Sequence, residues 1–412
     1  MRLKQTFALL TLIALGTSTA SAEPPAPPPI KVGVLLPLSG RYASAGQSNR
    51  RGIELVVNKT NLGGGIASLH GAKIQLVFAD DASNQETASQ EARRLMTTEN
   101  VAFILGPYST PETQAVVPVT ERGGVGLIST QGSFDGMFTH GYKGLFTVSM
   151  TSSQFGESYD TFLKTLASVH KAAIKTVAIT YPNNDYGQTA AQAAQARLKA
   201  RGINVVGTFE FPPTVTDLTP IVQRVKELKP DAVISIGYLE DGLLLDKARV
   251  AQNATGPLVW VGGSDSFSND RLWSLLGDGV AKVALGGHTF GLSQFDNTVR
   301  TPGVEWLVRS TRVAYPGAIV DQGMAAGAQA AWILVEALER SGKTSPADLI
   351  AAVHAVHLPA NSIRTTMPQF VHGVAFAADG RPRDPVALFV HWDNGRKSVV
   401  SPDQLATAKV PW

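Results

Sequence analysis

The chain has 412 residues, no cysteine, and a formal net charge of +3 with histidine neutral. The lack of thiols excludes a cysteine nucleophile and a cysteine metal site. The charges are interspersed and no basic patch is interleaved with aromatic residues, so the composition does not indicate a nucleic-acid partner. A chain of this length favours two domains over one.

The N-terminal segment has the features of an export signal. Two basic residues precede an apolar run from Phe7 to Leu15, and Ala20 to Ala22 form a small-residue cleavage site. The apolar run is shorter than the roughly 20 residues that a membrane-spanning helix needs. We therefore expect a signal peptide over residues 1–22 and a proline-rich extended spacer over 23–29. Since no cysteine follows the signal, we expect a periplasmic protein that is not a lipoprotein, with a mature chain from Glu23.

Two successive α/β patterns follow the spacer. In each, short β-rich apolar runs alternate with segments whose apolar residues recur at helical spacing. This alternation predicts parallel sheets covered by helices on both faces. The second pattern begins after Ser149. The predicted strands are 31–37, 73–79, 101–105 and 125–128 in the first pattern, and 176–180, 205–209, 232–236 and 258–261 in the second.

The sequence pattern of the C-terminal third is mainly helical. Residues 303–357 are helical by pattern, and the longest predicted helix carries apolar residues from Met324 to Leu338. Because no predicted strand separates these helices, we expect them to cover an existing sheet. The last elements, Val374–Phe376 and Val386–Trp392, predict a terminal hairpin joined by Asp379-Gly380.

The motifs that would indicate an enzyme are incomplete. The segment 262–266 begins like a nucleophile elbow but lacks the second glycine, and the loop at 136–143 has phosphate-loop spacing without the lysine and hydroxyl that should follow. We interpret His354 and His357 as solvated or helix-capping residues and not as a zinc-binding pair, because no third ligand is apparent. We interpret Asp80-Asp81 as a solvated strand end with helix-capping potential and not as a cation site. We predict no enzymatic activity, no cofactor and no metal; a secreted hydrolase is the alternative from another class.

Hydroxyl, glycine and tyrosine residues cluster in three loops that follow predicted strands, at 38–46, 106–113 and 129–133. Open α/β sheets bind ligands at the carboxyl ends of their strands. Backbone N–H groups at a helix start, together with hydroxyls, can hold a carboxylate without an arginine. Ordinary turn and cap chemistry also explains these residue types, so both interpretations stay open at this point.

The motifs in these loops resemble those of the leucine/isoleucine/valine-binding protein family, the solute receptors of ABC importers. Val32 to Gly40 resembles the opening strand and loop of the family, and Gly106 to Thr110 resembles its Gly-Pro-x-Ser-Ser loop. Asn183 to Gly187 is similar to its Asp-Tyr-Gly loop, and Asp80 to Asn84 with Ala92 to Leu95 is similar to its second-strand signature. The resemblance covers essentially the whole mature chain.

The resemblance implies a type I periplasmic binding protein, an α/β fold of two Rossmann-like lobes with parallel sheets joined by a three-segment hinge. It places the crossovers near Ser149, near Gly286 and within 361–373. The expected lobe boundaries are 30–149 and 287–360 for lobe 1, and 150–286 and 361–412 for lobe 2.

The resemblance also implies a ligand-binding site. In the family, a hydroxyl in the loop matching Ser109 and Thr110 contacts the ligand carboxylate, and Thr110 is the better positional match. The loop matching 131–133 gives a carbonyl to the ammonium and a hydroxyl to the carboxylate. Asp265 takes the place of the usual ammonium-binding glutamate, with a helix N-cap as its alternative role. The expected ligand-binding residues are Tyr42, Tyr108, Ser109, Thr110, Gln131, Gly132, Ser133, Tyr186, Tyr238 and Asp265.

The expected function is that of a periplasmic solute-binding receptor of an ABC importer. It would bind a small amino acid or related carboxylate between the lobes by hinge closure and deliver it to the ABC permease membrane subunits. The segment 288–290 and Tyr108 add aromatic residues near the expected cleft. The alternatives are therefore a receptor for an aromatic acid, amide or urea-like solute, or a ligand sensor without a transport role.

Overall fold

The computed structural model describes residues 26–170, 173–255, 259–263 and 265–411. The predicted signal peptide and the first residues of the spacer lie outside these ranges. Within the described ranges, no helix is both long enough and apolar enough to cross a membrane. The chain folds into two α/β lobes, each built around its own sheet.

The first sheet consists of five parallel strands in the order β2-β1-β3-β4-β5. Residues of β3, β4 and β5 are buried throughout, as expected for strands covered on both faces. The elements in chain order are β1 (Ile30–Leu36), α1 (Ala43–Leu62), β2 (Ile74–Asp80), α2 (Gln85–Thr97), β3 (Phe103–Leu105), α3 (Thr110–Gly123), β4 (Leu127–Ser129) and β5 (Leu145–Thr147), with 3-10 turns at Ala67–Leu69 and Asp135–Thr139.

The second unit repeats the strand order of the first, because its parallel strands run β7-β6-β8-β9-β10. The predicted restart of the α/β pattern is therefore confirmed. The elements are α4 (Ser152–His170), β6 (Thr176–Pro182), α5 (Asp185–Ala200), β7 (Asn204–Phe211), α6 (Thr219–Leu228), β8 (Ala232–Ser235), α7 (Leu239–Ala251), β9 (Val259–Gly262), α8 (Leu272–Leu276), α9 (Asp278–Leu285) and β10 (Thr289–Ser293).

The chain then returns to the first lobe in three helices, α10 (Pro302–Ala314), α11 (Gln322–Ser341) and α12 (Pro346–His354). Helix α11 is buried along most of its length and packs lengthwise against α1. The prediction of helices that cover an existing sheet is confirmed. Two final antiparallel strands, β11 (Leu388–Asp393) and β12 (Arg396–Ser401), extend the second sheet beyond β10.

Two of the expected crossovers between the lobes are misplaced. Strand β10 pairs with β9 and β11, so the second crossover follows Ser293 instead of lying near Gly286. Residues beyond 360 still belong to the first lobe, since the N–H of Thr366 donates to Gln329 Oε1 of α11 (2.9 Å) and the Phe376 ring packs edge-on against Phe146 of β5 (5.2 Å between centroids). The third crossover therefore comes just before Leu388, and the boundaries expected at 286 and 360 are wrong.

The terminal hairpin also lies further along the chain than predicted. Its turn is Asn394-Gly395, with φ of 47° and 82°, and Asp393 pairs with Arg396 across it. Two successive positive φ values define the tight turn that matches the twist of a hairpin. The predicted strand around Val374 makes only isolated bridges, so the Asp379-Gly380 turn does not join two strands.

Two glycines allow α1 and α11 to approach closely. A Cβ on Gly52 would clash with the carbonyl oxygen of Met324, and a Cβ on Gly327 would clash with the carbonyl oxygen of Asn49. The close packing fixes α11 relative to α1, and thereby holds Asp321, the N-cap of α11, where it accepts a hydrogen bond from Ser48 of α1.

We expect Gly327→Ala to destabilise the protein by about 1–3 kcal/mol, because the methyl group must displace backbone atoms in a packed core. The measurement is the urea midpoint of unfolding, followed by circular dichroism. Gly279→Ala in α9 is the matched control, since no atom lies within 4 Å of its added Cβ. Equal midpoints for the two variants would contradict the close-packing account.

Candidate ligand-binding cleft

The carboxyl ends of the two parallel sheets face each other across a cleft. Tyr42 lies in the loop after β1 and Tyr108 in the loop after β3, neighbouring strands of the first sheet. Tyr186 follows β6 and Tyr238 follows β8, which are neighbours in the second sheet. Because the two sheets share one strand order, equivalent loops from both lobes meet at the position where open α/β sheets bind ligands.

A row of aromatic rings spans the cleft. The ring centroid of Tyr42 lies 5.9 Å from that of Tyr108 and 5.0 Å from that of Tyr238 in the other lobe. Tyr238 lies 5.4 Å from Tyr186, which in turn packs against Phe155 at 6.1 Å. These separations are typical of favourable aromatic pairs. The structure thus brings together the four tyrosines that the sequence predicted.

The hydroxyls of the loop after β3 have different surroundings. Helix α3 begins at Thr110 with Ser109 as its N-cap residue, yet the Ser109 side chain makes no capping bond. Its Oγ is buried, with no hydrogen-bond partner among the described residues. Thr110 Oγ1 accepts a hydrogen bond from the backbone N–H of Ser133 (3.0 Å). Thr110 therefore ties two loops together, and Ser109 carries the uncommitted hydroxyl.

The backbone of the loop after β4 is largely committed within the protein. The N–H of Gly132 donates to Ser129 Oγ (2.8 Å), and its carbonyl oxygen accepts from Thr147 Oγ1 (2.9 Å). The carbonyl oxygen of Ser133 accepts from the N–H of Ser152 (2.7 Å) at the start of α4. Gly132 and Ser133 therefore fix the shape of the loop and join it to the first crossover.

Besides Ser109 Oγ, three further buried donors have no hydrogen-bond partner within the described ranges: Thr130 Oγ1, Gln131 Nε2 and the hydroxyl of Tyr159. Tyr159 lies on α4, and its hydroxyl occupies the space that a Cβ on Gly263, just after β9, would take. The sequence indicated Tyr159 only as one apolar residue on a helix face. Its hydroxyl can be placed in the cleft only once β9 and α4 are known to meet.

Asp265 lies in the turn after β9 and caps no helix, since the next helix, α8, begins at Leu272. Its side chain is buried, with Oδ2 3.5 Å from the Tyr108 hydroxyl and Oδ1 without a partner in the described chain. Burial raises the pKa of Asp265 to about 6; nearby Asp321 adds to the rise, whereas Lys397, the side chain of Asn269 and Arg271 oppose it. A buried carboxylate oxygen without a hydrogen-bond partner costs free energy, and a donor, above all a cationic one, removes that cost.

Two ion pairs connect the lobes at the edge of the cleft. Arg41 contacts Asp241 at 2.8 Å, and Arg271 contacts Asp321 at 3.0 Å. Arg271 also donates to Ser44 in the loop after β1. These charges are not part of any motif, and the sequence did not indicate them. The lobes are therefore in contact, and the structure represents a closed form.

Two further expectations need correction. The ring of Phe290 is not part of the cleft, because it is buried against Phe162 in the second lobe (5.2 Å between centroids). Asp81 is not a solvated strand end: its side chain is buried, and Oδ2 has no partner in the described chain. Burial raises the pKa of Asp81 to about 7. No group of side chains that could hold a metal ion occurs among the described residues.

Two α/β lobes of equal topology, joined by three crossovers and closed over polar groups at their strand ends, define a solute-binding protein of the type I periplasmic class. The family model for periplasmic binding proteins matches residues 29–397. The chain therefore belongs to this family, within its leucine/isoleucine/valine-binding branch, and such solute-binding proteins are not enzymes. The family points to a periplasmic or extracellular location.

Relatives match over nearly the whole chain. Leu/Ile/Val-binding protein homolog 7 of Brucella abortus is 28% identical over 405 residues, covering 97% of this chain and 98% of that protein. The solved structure of LivJ from Streptococcus pneumoniae in complex with isoleucine has a TM-score of 0.73 at 23% identity, covering 91% of this chain and all of that one. A solute-binding protein from R. palustris in complex with benzoate has a TM-score of 0.76 at 20% identity, covering 93% of this chain and 100% of that one.

The two hydroxyls of the β3 loop should respond differently to removal in the ligand-free protein. Thr110→Val leaves the N–H of Ser133 without its acceptor, and we expect a loss of about 1–3 kcal/mol in the free energy of unfolding. Ser109→Ala removes a buried hydroxyl that has no partner, so we expect no loss of stability. Urea unfolding of both variants tests this, and a larger loss for Ser109→Ala would contradict the assignment.

Proposed function

We propose that this protein is the periplasmic receptor of an ABC importer for a small amino acid, which it binds as a zwitterion between its lobes. The observation that carries the proposal is the carboxylate of Asp265, buried in the cleft with one oxygen unpaired among the described residues. The ammonium group of an amino acid is the partner that this carboxylate lacks.

The carboxylate of the ligand would lie against the first lobe. Ser109 Oγ, Thr130 Oγ1 and Gln131 Nε2 are buried donors that have no acceptor in the described chain. They lie in the loops after β3 and β4, beside the N-terminus of α3, whose dipole favours a negative charge. Uncharged donors and a helix end can together satisfy a carboxylate without an arginine. Thr110, Gly132 and Ser133 would support this subsite by holding its loops.

The ammonium and side chain of the ligand would face the second lobe. A charge-assisted hydrogen bond to Asp265 Oδ1 offsets the cost of burying both charges. Tyr42, Tyr108, Tyr186 and Tyr238 would surround the ligand with aromatic surface. Since each lobe contacts one end of the ligand, the ligand favours the closed form, which is the form that permease subunits would recognise.

Export to the periplasm is part of the proposal. It rests on the sequence pattern of residues 1–22, with a mature chain that starts at Glu23 and carries no lipid. The family to which the chain belongs is consistent with that location.

An aromatic acid is the second candidate, and the row of tyrosines across the cleft favours it. One structural neighbour is in complex with benzoate and another with 4-hydroxybenzoate. A phenolic hydroxyl could donate to Asp265 in place of an ammonium. The two candidates differ in charge at this one position, so a single isosteric substitution separates them.

We expect Asp265→Asn to weaken amino-acid binding by about 2–5 kcal/mol, because the ammonium would stay buried without its counter-charge. In the native protein, amino-acid affinity should fall as the pH drops through about 6, where the carboxyl becomes protonated. Isothermal titration calorimetry with the twenty amino acids, benzoate and 4-hydroxybenzoate measures both effects.

Asp278→Asn, the same change at an exposed site of the second lobe, is the matched control and should bind as the native protein does. An aromatic acid should bind Asp265→Asn as well as or better than the native protein. Amino-acid binding that is intact in Asp265→Asn would overturn the proposed role of this residue.

A further inference from the structure

Two buried glutamine side chains connect the proposed ligand site to the hinge. The backbone N–H of Met150, in the first crossover, donates to Gln294 Oε1 (2.7 Å). Gln294 Nε2 then donates to Gln131 Oε1 (3.0 Å). Gln294 is fully buried and Gln131 is 8% exposed, so water does not compete for these bonds. The chain of bonds ends at Gln131 Nε2, which has no acceptor among the described residues.

The direction of this chain is fixed by its first member. A backbone N–H can only donate, so the oxygen of the Gln294 amide must face Met150. The nitrogen of Gln294 then faces Gln131 and requires an acceptor there, which only the oxygen of the Gln131 amide provides. Gln131 is thereby prevented from turning its amide over. Its nitrogen must point away from Gln294, as a donor without a partner in the described chain.

We infer that Gln294 is a positioning residue, which orients Gln131 so that Nε2 donates to a carboxylate or carbonyl oxygen of the ligand. The inference rests on the proposed function in that it needs a ligand in the cleft. It does not require that the ligand be an amino acid, because aromatic acids, amides and urea-like solutes also carry an acceptor oxygen. A buried amide nitrogen without an acceptor is costly, which is the reason to expect one from the ligand.

Gln294 also connects the ligand site to the crossovers between the two lobes. It directly follows β10, in the second crossover, and its backbone N–H donates to Gln322 Oε1 at the start of α11 (2.8 Å). Its side chain joins this crossover to Met150 in the first. The bonds that orient Gln131 therefore depend on how the two crossovers lie against each other, and hinge closure changes that relation. The ligand oxygen meets a correctly oriented donor in the closed form.

Gln294→Glu tests the inference with a nearly isosteric change. One carboxylate oxygen still accepts from Met150, and the other faces Gln131 Oε1. The Gln131 amide then turns to donate to Glu, and presents its oxygen to the ligand. We expect about 10-fold to 100-fold weaker binding of whichever compound of the panel binds the native protein. The panel consists of the twenty amino acids, benzoate, 4-hydroxybenzoate, acetamide and urea, each titrated by calorimetry.

Gln223→Glu, the same change at an exposed position of α6 in the second lobe, is the matched control. It should bind the ligand within about 2-fold of the native protein. Gln294→Met removes its bond to Gln131 without adding charge and leaves the longer bond from Ser149 Oγ to Gln131 Oε1 (3.4 Å), and it should also weaken binding by about 10-fold. It serves as the test if Gln294→Glu does not fold by circular dichroism.

A double-mutant cycle separates positioning from a purely structural role. Gln131→Ala removes the donor, so in that background Gln294→Met should change affinity by less than about 2-fold. An undiminished effect of Gln294→Met in the Gln131→Ala background would overturn the inference, as would native affinity in both Gln294 variants. Failure of every panel compound to bind would overturn it as well. Tight binding of an aromatic acid would overturn the amino-acid proposal alone. It would not overturn the role of Gln294, because the double-mutant cycle would give the same coupling with that acid.

Discussion

The ligand-binding cleft is organised around Asp265, a carboxylate that is buried between the two lobes with one oxygen unpaired among the described residues. The hydroxyl of Tyr108, from the opposite lobe, lies 3.5 Å from Asp265 Oδ2. Desolvation favours its protonated form, which raises its pKa to about 6. In a closed, ligand-free cleft this is unfavourable near neutral pH. In the proposed function, a cation that enters with the ligand would remove the penalty, so the same interaction would account for selectivity and for closure.

The remaining polar groups of the cleft complete this arrangement. The first lobe offers donors without acceptors at Ser109, Thr130 and Gln131, and the second lobe offers an acceptor at Asp265. A small zwitterion has the complementary charges at its two ends. The ion pairs Arg41–Asp241 and Arg271–Asp321 hold the lobe edges together, and both members of the second pair act electrostatically on Asp265. In both pairs the carboxylate is buried and the arginine is partly exposed.

The sequence predicted the fold where local pattern and tertiary structure agree. Buried parallel strands such as β1 and β6 are continuous apolar runs, and the loops that follow them carry recognisable motifs, so the two lobes and the four cleft tyrosines were found. The short strand β10 and the irregular segment before Leu388 have no such pattern, which is why two crossovers were misplaced. Both Asn394-Gly395 and Asp379-Gly380 carry the residue types of a tight hairpin turn, and only tertiary pairing shows that the hairpin forms at Asn394-Gly395.

The fine chemistry of the site was less predictable, because it depends on which partners tertiary packing supplies. Ser109 and Thr110 are equivalent hydroxyls in sequence, and only the position of Ser133 shows which one is already bonded. Tyr159 and Gln294 lie outside the motifs, and their roles come from contacts with Gly263 and Gln131 across long sequence separations. No local pattern encodes those contacts.

The most direct test of the central claim is the pKa of Asp265, measured by carboxyl-carbon NMR in the ligand-free protein and at saturation with an amino acid. If an ammonium pairs with Asp265, the pKa of this carboxyl in the bound protein should lie well below the value of about 6 in the closed, ligand-free cleft, because the buried cation stabilises the charged form. A pKa that stays the same or rises when an amino acid binds would contradict the account.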